Sequence, residues 1–380
     1  MRSLLLPRSR LSSLEGEQTA LRRLGNVNVG PLAAAFLLSL IGLATVASAS
    51  AEQAESLLAR QALWVLVGLA ALAVALLFDY HWLVEAAPMF YGLGLVALVL
   101  VLVLGHEAGG ARSWFAFGPV RVQPSEFHKI ATVLLLARYL SRHDRPFLGL
   151  RQIAVAAVLT VVPMGLIALE RDLGGAAMFL PMLAAMLLVA GVRLRLLVAA
   201  SLLGLVLAFG LWSFGMKDYQ RQRVRTFLAP EEDPLGAGYQ VRQSKIAVGS
   251  GQWTGRGYGQ GTQSQLRFLP ERQTDFVMAV LAEEWGFLGV ITVLGLFAWF
   301  ISTAARIAMR SRDRAGILLV VGLLAVVVTH VVYNTAMVVG LLPITGIPLP
   351  FISYGGSFML FNYLAASLVL NVDYRRYVNR

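Results

Sequence analysis

Residues that could do chemistry fall in four clusters along this 380-residue sequence. The first runs from Ala111-Arg112-Ser113-Trp114 to Gln123-Pro124-Ser125-Glu126-Phe127-His128-Lys129. Pro124 suits the first turn of a helix, where Glu126 would complement the helix dipole. Glu126 and Lys129 are three apart and share a face. An ion pair pinning the helix end is the plainer reading, and a charged binding site the sharper one. The second cluster, Glu170-Arg171-Asp172, is a polar break of the kind any tight hairpin between apolar helices needs. The third, within 216–275, carries Arg221, Arg223, Arg225, Arg242 and Lys245, then a glycine-dense stretch from Gly249 to Gly261. Such glycines let backbone amides approach a phosphate or sugar closely, though alone they are a weak signal. The fourth is Asp275, which opens a helical run behind Thr274; capping that helix is its plainest role.

The elements that must position these groups are membrane helices. AVILMFWYC residues make up 57% of the chain and charged residues 14%, where a soluble domain carries roughly a quarter charged. Cysteine is absent, which rules out disulfides and thiolate metal sites. About 20 apolar residues cross a bilayer, and ten spans are expected: 30–49, 61–79, 83–104, 125–140, 152–169, 173–190, 196–215, 276–303, 315–340 and 356–372. The fold class is therefore all-α integral membrane, with a large extracytoplasmic loop, 216–275, between helices 7 and 8. A cytoplasmic segment 1–29, one membrane domain 30–372 and a cytoplasmic tail 373–380 complete the organisation.

Net charge is +11, from 32 Lys and Arg against 21 Asp and Glu. Nucleic-acid binding would be one explanation; cations retained in cytoplasmic loops are the simpler one. With the N-terminus inside, the inner segments hold 18 cations and the short outer loops four, which places both termini in the cytoplasm. Ala47-Ser48-Ala49 resembles a signal-peptidase site, but a polar region of some 29 residues precedes the apolar run, so an uncleaved first helix is expected. The run 276–303 is too long for an untilted span and contains Glu283 and Glu284. Because carboxylates are costly against lipid, 276–285 reads as an interfacial or cavity-lining helix, with the lipid span starting near Gly286. Leu341 to Ser357 carries three prolines and no charge, and reads as a stiff connector or an apolar docking surface.

Taken together and in order, these motifs resemble the shape, elongation, division and sporulation (SEDS) family of bacterial cell-wall proteins. The resemblance rests on Ala111-Arg112-Ser113-Trp114, Gln123-Pro124-Ser125-Glu126 with Lys129, Asp172-Leu173-Gly174 and Gly249-Ser250-Gly251. It continues through Leu269-Pro270-Glu271, Thr274-Asp275-Phe276, Ala282-Glu283-Glu284 with Gly286-Phe287, and Leu342-Pro343 to Ser357. Gly259-Gln260-Gly261-Thr262-Gln263-Ser264-Gln265 and Glu271-Arg272 look like the elongation branch more than the division branch. His128, Gln252-Trp253 and Gln273 depart from the expected pattern.

The resemblance implies a peptidoglycan glycosyltransferase of the cytoplasmic (inner) membrane, polymerising lipid II on its outer face. The implied partners are a class B penicillin-binding protein, which cross-links the strands, and the elongation machinery. Asp275 matches the family's essential aspartate, the base. Arg112, Glu126, Lys129 and Asp172 match residues lining the same cavity, and Arg242 and Lys245 join the cations facing the diphosphate. A carboxylate can take the proton of an attacking sugar hydroxyl, while cations stabilise the departing undecaprenyl diphosphate. No cofactor is required by this scheme; a divalent cation, Mg or Mn, bridging the diphosphate stays open. The alternatives are a lipid II flippase or transporter that forms no bond, for which inverted repeats are missing, and a membrane scaffold that only holds the cross-linking enzyme.

Overall fold

The computed structural model describes residues 28–50, 54–108, 111–118, 120–143, 147–196 and 236–378, with scattered residues between 198 and 233. Segment 1–27, most of the expected span 196–215, and Arg221, Arg223 and Arg225 lie outside the described residues. The chain begins with α1 (Gly30–Ala49), α2 (Ala54–Leu77), the short α3 (Tyr80–Glu85) and α4 (Ala87–Leu104). A small antiparallel sheet follows, in the order β1 (His106–Ala108), β2 (Ala111–Phe117), β3 (Val120–Val122). Then come α5 (Pro124–Ser141), α6 (Leu150–Leu169), α7 (Leu173–Ala177) and α8 (Phe179–Ala190). The remainder holds α9 (Ala237–Gly251), α10 (Thr262–Gln265), α11 (Val277–Arg310), α12 (Arg314–Val338) and α13 (Gly356–Val378).

Among the described residues, seven helical segments are long and apolar enough to cross a membrane, beginning at Gly30, Ser56, Ala87, Leu150, Leu173, Val277 and Arg314. Helices α5 and α13 are not among them, and their position explains why. Helix α5 packs against α4, α12 and α13, while α13 lies on α2, α12, α11 and α1. A helix enclosed by other helices need not be lipid-soluble, provided its polar groups find partners. Accordingly Ser367 Oγ donates to the Leu72 carbonyl (2.9 Å), Asn371 Nδ2 to that of Phe78 (2.6 Å) and Asn362 Nδ2 to that of Phe358 (2.7 Å). The outward positions of the other helices are apolar and exposed, among them Leu66, Leu93 and Val103, as lipid contact requires.

Several elements differ from the sequence expectation. The expected span 83–104 starts with the separate helix α3, because Asp79 caps a new turn by accepting from the His81 amide (2.9 Å). The β-sheet sits where only a loop was expected. The stretch 216–275, expected as one large loop, contains α9, which packs on α11 and α12. Helix α11 runs to Arg310 but is broken at Gly286 (φ 66, ψ −162), a conformation essentially confined to glycine. Residues 277–284, before that break, are all buried, including Glu283 and Glu284.

The glycine-dense stretch fills this break. Phe287 and Leu288 amides donate to the carbonyls of Gln252 (2.8 Å) and Trp253 (3.1 Å), and Arg256 and Gly257 amides to those of Glu283 and Glu284 (both 3.0 Å). A Cβ on Gly251 would stand 1.8 Å from the Ala282 carbonyl oxygen, and one on Gly255 2.0 Å from that of Glu284. Glycine at these positions permits backbone-on-backbone contact. The Glu283 carboxylate completes the join by accepting from the amides of Gln263 (2.9 Å) and Ser264 (3.2 Å).

Candidate active site

Asp275 lies two residues before the first residue of α11. The N-cap is Phe276, and no side chain caps the helix. The capping role that the sequence made plainest is therefore not what Asp275 does. Among the described residues nothing hydrogen-bonds its carboxylate, while its main chain is tied on several sides. The Asp275 carbonyl accepts from Asn334 Nδ2 of α12 (2.8 Å), which also donates to Ile347 (2.8 Å). Ser353 Oγ donates to the Thr274 carbonyl (2.6 Å), and the Tyr354 amide to that of Gln273 (2.8 Å). The proline-rich connector is thereby clamped over the turn, and a Cβ on Gly346 would sit 3.6 Å from Asp275 Oδ2. Burial, with the charges of Glu271 and Asp172 adding to it, pushes the Asp275 carboxyl up to about 7. The helix-dipole effect, which would lower it, is outweighed.

Asp172 caps α7: its Oδ1 accepts from the Gly175 amide (2.7 Å) and its Oδ2 from Gln123 Nε2 (3.1 Å). Gln123 in turn donates its amide to Ser357 Oγ (3.2 Å), so the starts of α5, α7 and α13 meet here. Beside it, Arg171 adopts φ 68, and the Glu170 carbonyl accepts from the Arg112 amide (3.1 Å). The buried Glu170 carboxyl makes no hydrogen bond among the described residues. Burial, then the charge of Asp172, pushes it up to about 8.

Glu126 and Lys129 form the ion pair their spacing allowed, with Lys129 Nζ 2.9 Å from Glu126 Oε2. Lys129 is enclosed further by His330 Nε2 (3.2 Å) and the Phe361 ring (4.7 Å). Glu126 lies within charge–charge range of Asp172, as Asp275 does. Arg112 is half-exposed and 3.9 Å from Glu107, and Arg121 and Arg171 are exposed as well. Arg242 and Lys245 are exposed on α9, with Lys245 lying across Gly340; neither is among the charges acting on Asp275. Charge thus links Asp275 and Glu126 to Asp172, the ion pair adds Lys129, and the Arg112 amide reaches Glu170, while Arg242 and Lys245 stand on α9. Among the described residues no group of three His, Cys, Asp or Glu side chains is placed to hold a metal ion.

A carboxyl poised near neutrality is what a general base requires, and the comparisons with known proteins bear on which chemistry it serves. A family model described as cell cycle protein, covering FtsW, RodA and SpoVE, matches residues 30–378. The chain belongs to the SEDS family. Among SEDS relatives, the peptidoglycan glycosyltransferase MrdB of Escherichia coli (strain K12) is 42% identical over 290 residues, 76% of this chain and 78% of that protein. The peptidoglycan glycosyltransferase RodA of Treponema pallidum (strain Nichols) is 32% identical, covering 83% and 89% of the two chains. A solved structure described as the coordination of polymerization and crosslinking by a peptidoglycan synthase complex superposes with TM-score 0.80 at 34% identity, covering 93% of this SEDS chain and 99% of the other. The rod shape determining protein RodA of Thermus thermophilus does so with TM-score 0.71 at 29% identity, over 93% and 98%.

Sequence reasoning passed over Glu170 and Glu271 as participants, and Asn334, Ser353 and Gln123 as the residues that fix the acids. Glu170 and Glu271 each carried a signal, since each is an acid within four residues of an aspartate already singled out.

Proposed function

We propose that this chain polymerises lipid II into glycan strands during cell elongation, with Asp275 as the general base. That it is a membrane-spanning peptidoglycan glycosyltransferase rests on its family and its relatives; the division-type polymerase is the neighbouring alternative within the family. The observation carrying the finer reading is Asp275 itself: a carboxyl held in place by its main chain, without a hydrogen bond among the described residues, and pushed up to about 7.

In this scheme a sugar hydroxyl attacks the anomeric carbon of a second lipid-linked sugar. The new C–O bond forms as the bond to the diphosphate breaks, and the bonding electrons leave with the diphosphate. The hydroxyl proton passes to Asp275. One base suffices for inverting transfer, unlike the paired carboxyls of glycosidases. Arg112, half-exposed and tied through its main-chain amide to Glu170, is the cation assigned to meet the diphosphate. Lys129, enclosed by Glu126 and His330, acts on the site chiefly through Glu126. Arg242 and Lys245 on α9 would receive the lipid-linked substrate as it approaches. Asp172 fixes Gln123 and the mouth of α7.

The orientation follows the cation distribution, with both termini cytoplasmic and the Asp275 end outward. A class B penicillin-binding protein is the proposed partner, consistent with a structural neighbour described as a synthase complex that polymerises and cross-links. Incubating the purified protein with lipid II tests the activity. Glycan strands are expected, whereas lipid II moved across a vesicle membrane without bond formation would replace the polymerase reading with the flippase.

A further inference from the structure

We infer that Glu271 is a second acidic residue of the reaction, a positioning residue whose main chain builds the turn carrying Asp275 and whose carboxylate governs when Asp275 ionises. The inference rests on Asp275 being the base.

Three observations carry it. First, the Glu271 carbonyl gathers the whole turn: it accepts from the amides of Thr274 (3.1 Å), Asp275 (3.1 Å) and Phe276 (3.3 Å), and from Thr274 Oγ1 (3.2 Å). A carbonyl has two lone pairs, so three amides crowding one oxygen, with the Thr274 hydroxyl shared between it and the Glu271 carboxylate, mark the point about which this segment winds. Second, Glu271 holds φ 49, in the left-handed region that glycine or asparagine occupies at least cost. A turn needing only its shape would be better served by either. Strained residues of this kind persist where surrounding structure enforces them, and they cluster at functional sites; Arg171 and Phe351, beside Asp172 and Ser353, share the conformation. Third, the Glu271 side chain folds back along its own turn, with Oε2 accepting from Thr274 Oγ1 (3.1 Å). That holds a like charge near the Asp275 carboxyl, which disfavours ionisation there.

The groups facing Asp275 from each packed element single out Glu271. Helix α12 presents the neutral Asn334, and the connector 341–355 presents Gly346 and backbone. The start of α7 presents Asp172, already committed to the Gly175 amide and to Gln123. Glu271 is exposed, so its charge responds to solvent and to any cation brought by the substrate. It acts in the direction already seen, since its charge adds to burial in raising the Asp275 carboxyl. The device keeps Asp275 ready to hold a proton near neutral pH instead of leaving it a weak, fully ionised base.

The test is the pH dependence of lipid II polymerisation by the purified full-length protein, with Asp275→Asn assayed in parallel. Glu271→Gln keeps the carbonyl and an acceptor for Thr274 while removing the charge. Its acid limb should move to lower pH by about one pH unit, raising the rate at pH 6 several-fold relative to its own plateau. Glu271→Gly, which suits the backbone conformation, should move the limb the same way and covers the case in which glutamine fails to fold. An acid limb unmoved in both variants, with Asp275→Asn inactive, overturns the inference and leaves Asp275 as the base. Polymerisation by Asp275→Asn overturns the reading on which the inference stands, and the inference with it.

Discussion

Removing the charge of Lys129 should unfold this protein more readily than almost any single change of similar size. Lys129→Met keeps the side-chain length and deletes the ammonium that lies 2.9 Å from Glu126 Oε2 and 3.2 Å from His330 Nε2. Both members of the pair are buried, with side-chain exposures of 2% and 9%. Breaking a buried pair by removing one partner costs about 3–5 kcal/mol, since the other charge is left uncompensated. Loss of the cation from the Phe361 ring, 4.7 Å away, adds on the order of 1 kcal/mol. At 1.4 kcal/mol per tenfold, the folded-to-unfolded ratio should fall by about 10³–10⁴-fold. Equilibrium unfolding in detergent micelles reads this directly. The double variant Glu126→Gln/Lys129→Met should recover most of the loss, because no charge is then stranded. A single variant losing less than about 1 kcal/mol, or a double variant no better than the single, would refute the reasoning.

Three other outcomes are expected. Burial holds the Glu170 carboxyl near 8 and that of Asp275 near 7, so the folded chain binds protons more tightly than the unfolded one. The stability they contribute is fully present below about pH 4 and is lost as pH rises through 7 and 8; the unfolding free energy measured from pH 5 to 9 should fall accordingly, and a slope unchanged by Glu170→Gln would contradict the assignment. Gly286→Ala places a Cβ 2.3 Å from the Gly255 nitrogen in a glycine-only conformation, and should leave little folded protein on size-exclusion chromatography; a wild-type elution and melting profile would show that the break in α11 is not required. Single cysteines in this cysteine-free chain should label from outside at Gly236 and not at Arg310, and the reverse pattern would invert the proposed orientation.

What was legible in the sequence was whatever lipid and local geometry dictate together. A 28-residue apolar run with two adjacent acids could not be one lipid-facing helix, and the Gly286 break lies where that length argument put it. The spacing of Glu126 and Lys129 likewise announced their pair. Long-range bonds were not legible. Asp275 looked like a cap because it precedes a helix behind Thr274, but Asn334, Ser353 and Tyr354, between 59 and 80 residues away, fix the turn so that Phe276 becomes the cap. The glycine stretch was only a weak signal of close approach to a phosphate or sugar, and at Gly251 and Gly255 the close approach is to α11. Helix α9 was hidden because its exposed face is polar and its contacts lie with α11 and α12, distant in sequence.

The central claim, that Asp275 takes the proton in glycan polymerisation, is tested most directly by assaying purified Asp275→Asn with lipid II. The asparagine retains the main-chain bonds to Asn334 and Glu271 that hold the turn, so the variant should insert, melt as the wild type does and co-purify with the proposed class B penicillin-binding protein as well as the wild type does. Loss of a general base lowers the rate by about 10²–10⁴-fold, so no glycan should be detected under conditions where the wild type forms long strands. A folded Asp275→Asn protein that polymerises lipid II at near the wild-type rate would contradict the account and remove Asp275 from the mechanism.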